Sequence, residues 1–172
     1  MPEPIDTYVS LTAAEHFAKQ ARSAWTIGTA VVLAWLLLIL VPPVARFEQW
    51  NALSDPLYNF FSYICHQQDP RSFHIMGHPF GVCSRCFGVY LGLFLGFAIY
   101  PLWRDVSEVE PPPRFWLFLS MIPIAVDWSL GIFGIWENTH YSRLITGMIL
   151  GIACGTFIVP AIVDIARIFR RR

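Results

Sequence analysis

The stretch Ser23-Ala-Trp-Thr-Ile-Gly-Thr-Ala-Val-Val-Leu-Ala-Trp-Leu-Leu-Leu-Ile-Leu-Val-Pro-Pro-Val-Ala45 contains no charged residue. A helix needs about 20 apolar residues to cross the hydrocarbon core of a bilayer. These 23 residues are therefore enough for one crossing. The run begins after 22 residues, and it is longer than the roughly 7–15 of a signal-peptide core, which predicts a retained span. Three more runs follow: Phe87–Trp103, Phe115–Trp136, broken only by Asp127, and Leu144–Val163. In lipid every backbone polar group must find its partner internally, so helices are the expected form. The reading is an all-α integral membrane protein, a four-transmembrane-helix bundle with spans at 24–45, 87–103, 115–136 and 143–165. Composition agrees: of 172 residues 55% are hydrophobic and 14% charged, against roughly 25% charged in a soluble domain. Twelve basic residues balance twelve acidic ones. A nucleic-acid partner, which needs a basic excess, and a disordered chain are both excluded.

Lys and Arg placement sets the expected topology. Lys19, Arg22, Arg104, Arg114, Arg167 and Arg170–Arg172 give eight on one side, and Arg46, Arg71, Arg85 and Arg143 give four on the other. The positive-inside rule then puts both termini in the cytoplasm of a cell (inner) membrane protein. Residues 1–22 form a cytoplasmic N-terminal segment and 166–172 a basic cytoplasmic tail, all within a single membrane domain, 1–172. The segment 46–86 faces outward.

That external segment holds the unusual chemistry. Asp55 followed by Pro56 predicts a helix start. Leu57, Phe60, Phe61 and Ile64 recur at helical spacing, as in a short helix lying at the interface. Cys65, His66, His74, His78, Cys83 and Cys86 then crowd six soft ligands into 22 residues. Four of these six suit a tetrahedral metal site, zinc in a Cys3His set, with iron as the alternative ion. A second reading is redox: Cys83 and Cys86 form a C-x-x-C pair, the dithiol-exchange spacing, at the mouth of a helix. A single structural disulfide is the third, although three outward cysteines leave one unpaired.

Several fragments together carry a resemblance. Cys65-His66-Gln67, Arg71-Ser72-Phe73 and Cys83-Ser84-Arg85-Cys86-Phe87-Gly88-Val89-Tyr90-Leu91-Gly92 are followed by Asp127, Glu137-Asn138 and Arg143-Leu144-Ile145-Thr146-Gly147. This pattern resembles the bacterial and archaeal membrane family called domain of unknown function 2085, over about residues 55–155. The glutamine usual after the helical aspartate is absent here, where Leu130, Gly131 and Ile132 follow. The resemblance implies a membrane fold and a motif map, and no reaction.

Two features lie within the spans. Gly88, Gly92 and Gly96 stand four apart, as do Gly147, Gly151 and Gly155. Each set is a doubled G-x-x-x-G, which lets helix backbones touch in lipid. These faces are expected to join two helices of one chain, or to bind a second copy or a membrane partner. Asp127 stands twelve residues into its run, roughly 18 Å deep at about 1.5 Å per residue. An acid there needs a partner, and Arg85 and Arg143 are the candidates. An outward-opening polar pocket lined by Asp127, Glu137, Asn138, His140, Arg85 and Arg143 is expected, with Glu137 or His140 as candidate bases if the site is catalytic. No phosphate loop, dinucleotide fingerprint or nucleophile elbow is present. The expected function is an outward-facing Cys/His metal site beside this pocket. The alternatives are a membrane thiol-disulfide oxidoreductase and a non-enzymatic assembly subunit.

Overall fold

The computed structural model describes residues 11–170; residues 1–10 of the N-terminal segment and Arg171 and Arg172 of the basic tail lie outside it. The order is α1 (Leu11–Phe47), α2 (Asn51–Ser62), a single 3-10 turn at Asp69–Arg71, β1 (His74–Ile75), β2 (His78–Pro79), α3 (Ser84–Trp103), α4 (Phe115–Ile132) and α5 (His140–Arg170). Four helices are long and apolar enough to cross a membrane: Glu15–Phe47, Ser84–Trp103, Phe115–Ile132 and His140–Phe169. Their outward faces carry large apolar side chains such as Ile27, Val31, Phe118 and Ile122. Water would penalise such surface, and lipid does not. The chain is an all-α membrane bundle capped at one end by the 48–83 segment.

Several helix bounds differ from the sequence reading. α1 starts at Leu11 and runs through most of the expected N-terminal segment. Ala21 is buried there, and the Gln20 side-chain amide donates to the Ala166 carbonyl of α5 at 2.6 Å. α2 starts at Asn51, four residues before the expected Asp55. Its first turn is fixed by Ser54, whose N–H donates to Trp50 O and whose hydroxyl donates to Pro42 O of α1. α4 ends at Ile132 rather than 136, and α5 starts at His140 rather than 143.

The glycine faces meet each other inside the chain. A Cβ at Gly88, Gly92 or Gly96 would strike the backbone of Leu144, Met148 or Ile152. One at Gly147 or Gly151 would strike Arg85 or Val89. The contacts advance in step, so α3 and α5 run parallel, backbone on backbone. This is the most extensive helix contact in the bundle.

Prolines place α1 and the cap. A proline in a helix has no N–H, so the carbonyl four residues earlier loses its donor. In α1, Pro43 frees Ile39 O, which accepts the Gly81 N–H of the cap at 3.2 Å. In α3, Pro101 frees Phe97 O, which accepts the Trp25 indole N–H of α1 at 2.8 Å. Each junction satisfies a group that lipid would leave bare. Around them lie two cores: Ala21, Phe97, Tyr100, Val159 and Val163 at the tail end, and Ile39, Phe61, Cys65, Phe80 and Val82 beneath the cap. Trp35 joins the second core, its ring 5.8 Å from both Phe61 and Tyr90.

Candidate functional site

The cap brings three cysteines together from two places in the chain. Cys65 follows α2, its N–H donating to Phe61 O at 2.9 Å, and it is buried against the core beneath the cap. A tight hairpin then turns the chain. Met76 and Gly77 both have positive φ, at 54° and 81°, the conformation a two-residue type I′ turn requires. Behind the hairpin, Cys83 caps the start of α3, and Cys86 stands in its first turn. The three sulfurs lie within 4.8 Å of one another. Cys65 Sγ also accepts the Cys83 N–H at 3.2 Å. Hydrogen bonding from Cys65 and then Cys86 holds the Cys83 thiol far below its ordinary range. Cys154 lies apart, in α5.

The histidines separate. His66 is exposed beside Cys65 and lines the same cavity, about 300 Å3, together with Cys83, Cys86, Gln68 and Arg71. His74 instead pairs with Asp69 at 3.1 Å, and His78 sits in β2 opposite Ile75. None of the three histidines is within the cysteine cluster itself; His66 shares only its cavity.

A second, polar cavity of about 610 Å3 opens beside the first. Arg85, Glu137, Asn138 and Arg143 line it, joined by Arg71, Trp128 and Trp136. Asp127 is 9% exposed and accepts from the Arg85 guanidinium; the Asn138 amide donates to its carboxylate at 3.0 Å and to its carbonyl at 2.6 Å. Arg85 is thus the partner of Asp127, and this pair ties α3 to α4. Neither Asp127 nor His140 is part of this lining. Ser84 hydroxyl donates to Arg71 O at 2.9 Å and accepts from His140 Nδ1 at 2.9 Å. The His140 ring packs on Phe73, 5.5 Å between centroids. His140 therefore braces the cap instead of facing the pocket.

A family whose members are described as predicted membrane protein, domain of unknown function 2085, matches residues 65–157. The chain belongs to this family. The matched stretch starts at Cys65 and takes in the cysteines, Arg71, Arg85, Asp127, Arg143 and all six seam glycines. An uncharacterized protein of Methanocaldococcus jannaschii is 36% identical over 133 residues, covering 75% of this chain and 85% of that protein. An uncharacterized protein of Methanothermobacter thermautotrophicus is 38% identical over 92 residues, covering 54% of this chain and 81% of its own. No solved structure matches the chain.

Two site residues escaped the sequence reading. Arg71 enters the sequence reading only through topology and the Arg71-Ser72-Phe73 fragment, yet it lines both cavities. Ser84 enters the sequence reading only as one position of the Cys83–Gly92 fragment, yet it links the cap, α3 and α5. Arg71 lay within the Arg71-Ser72-Phe73 fragment, which was a usable signal. Ser84 lies within the Cys83–Gly92 fragment, but nothing in the sequence points to its bonds with Arg71 and His140.

Proposed function

We propose that this protein holds a metal ion, zinc by preference, in the Cys65, Cys83 and Cys86 cluster, with His66 as the fourth ligand. The convergence of three thiols within 4.8 Å carries this reading. Tetrahedral zinc with sulfurs at about 2.3 Å separates them by about 3.8 Å, so the ligands need move by only about 1 Å. A disulfide explanation accounts for two of the three at most. The Cys83 N–H already donates to Cys65 Sγ, so that sulfur is held facing the start of α3. His66 lines the cavity while His74 and His78 do not, which supports it as the nitrogen ligand. Bound there, the ion joins the end of α2 to the start of α3 and fixes the wall of the neighbouring polar cavity.

The same reading places the cap outside a cell (inner) membrane and both termini in the cytoplasm, on the eight-to-four asymmetry of Lys and Arg. A reporter fused after Arg172 and active only in the cytoplasm tests it. A redox reading keeps one specific support: Cys83 at the cap of α3, its thiol favoured as thiolate, with Cys86 one turn on. Metal analysis and thiol counting on detergent-purified, unreduced protein separate the two. About one zinc per chain, with three thiols shielded until chelation, supports the metal site. No metal, and a disulfide that dithiothreitol opens, overturns it in favour of redox chemistry.

A further inference from the structure

The polar cavity beside the cysteines has a charge pattern that the metal reading does not use. Three guanidiniums reach it from three elements: Arg71 from the 3-10 turn, Arg85 from the first turn of α3, and Arg143 from the first turn of α5. Arg85 alone of the three has an ion-pair partner among the described residues, Asp127. Like charges held together at a half-buried site cost energy unless an anion joins them. Glu137 also lines the cavity. Three cations then face two carboxylates, and the N-termini of α3 and α5 each add about half a positive charge. The site is net cationic.

Two polar atoms there are buried and unpartnered, Arg85 Nε and Asn138 Oδ1. The other ends of the same two side chains are held by Asp127. Buried donors left unmade are expensive, so the Arg85 Nε–H, closed off from water as it stands, gains from a small shift that brings an acceptor to it. Guanidinium forks match phosphate oxygens two at a time. A volume of about 610 Å3 admits more than a bare ion. Trp128 and Trp136 at its rim are 58% and 62% exposed, as indoles are where water meets the bilayer.

We propose that this cavity binds a phosphate-bearing anion, with Arg71 and Arg143 as direct ligands and Arg85, held by Asp127, presenting its free Nε–H. Three of the four arginines on the less basic side of the bundle serve this one site. They stand there for ligand binding, against the general bias in Lys and Arg placement. The inference rests on the arginine cavity and not on the cysteines, so it stands if the metal reading fails.

The test uses the full chain in phosphatidylcholine nanodiscs, followed by thermal melting. In one arm inorganic phosphate is added against chloride of equal ionic strength. In the other, part of the phosphatidylcholine is replaced by phosphatidic acid. A rise in the midpoint of several degrees in either arm is expected. A response to inorganic phosphate identifies a soluble anion, and a response to phosphatidic acid alone identifies a lipid headgroup. Arg71→Gln and Arg143→Gln should each weaken the apparent affinity by about 10-fold or more, and Arg143→Lys by less. Arg71 is exposed on a surface turn, so its variant folds and remains informative if Arg143→Gln does not. The inference is overturned if neither arm moves the midpoint. It is equally overturned if the shift survives intact in Arg71→Gln. Zinc content measured on the same samples keeps a loss of metal distinct from a loss of anion binding.

Discussion

Replacing Gly92 by alanine tests the backbone seam between α3 and α5. A Cβ built there falls 2.8 Å from both C and Cα of Met148, and nearer still to its carbonyl oxygen. Two carbons attract best at about 3.5–4.0 Å, so this methyl sits at least about 0.7 Å too close. The obstacle is helix backbone and has no rotamer to yield. The helices must separate, and a gap of about 0.5–1 Å forfeits a quarter to a half of the dispersion well for every pair of atoms along the seam. In membranes this packing is the main cohesive term between helices. Overpacking costs about 1–3 kcal/mol in soluble cores, and the absence of any flexible neighbour puts Gly92→Ala at the upper end. For a chain of this size about 3 kcal/mol lowers the melting midpoint by about 6–12 °C. Gly28→Ala is the control. Its Cβ would meet Phe97 Cε1 at 2.9 Å and Ile162 Cδ1 at 3.5 Å, both side-chain atoms. Melting followed by retention of the monodisperse peak in detergent measures both variants. If Gly92→Ala melts within a degree of the parent, or above Gly28→Ala, the seam does not hold the bundle as argued.

Three further outcomes follow from the site and its supports. Cys65→Ser, Cys83→Ser and Cys86→Ser should each release the bound metal, while His74→Ala and His78→Ala retain it; elemental analysis of the purified variants decides. Asp127→Asn leaves Arg85, only 21% exposed, without its counter-charge. Removing one partner of a buried pair costs about 3–5 kcal/mol, and the partial exposure of Arg85 puts this case near the low end. Adding Arg85→Gln should recover part of the lost midpoint, and failure to do so would show that the charge is not the cause. Trp25→Phe should cost about 1–3 kcal/mol by stripping Phe97 O of its donor. Pro101→Ala in the same chain supplies a backbone N–H to that carbonyl and should restore part of the loss in a melting comparison.

The sequence reveals features that repeat or that exclude alternatives. An uncharged run has one reading in bulk, and glycines four apart declare a backbone contact because nothing larger fits. The three cysteines were legible as a set because C-x-x-C fixes two of them on one turn. The rest depended on hydrogen bonds between distant segments. No local rule tells that Ser84 will take its acceptor from residue 71 and its donor from residue 140. The start of α2 was misplaced because Asp55-Pro56 is a good local cap, but Ser54 finds a better partner in the Pro42 carbonyl of α1. Tertiary satisfaction of a buried hydroxyl outweighed local propensity.

The position of the two candidate sites follows from the same parallel seam. Because α3 and α5 run side by side in one direction, both begin at the capped end and bring a helix N-terminus there, that of α5 capped by Thr139, whose hydroxyl accepts the Ser142 N–H at 3.1 Å. A helix start favours negative charge nearby, whether thiolate or phosphate. Cys83 occupies the cap position of one such start, with Cys86 in its first turn, and Arg85 and Arg143 stand in the first turns of the two. Had the two helices packed antiparallel, their N-termini would lie at opposite ends, and Arg85 could not share a cavity with Arg143. The glycines that look purely structural therefore set the chemistry of the capped end. Gly92→Ala should consequently weaken phosphate response and metal retention together, though it touches neither site. A variant that melted early yet kept both at full strength would show that the seam and the sites are independent.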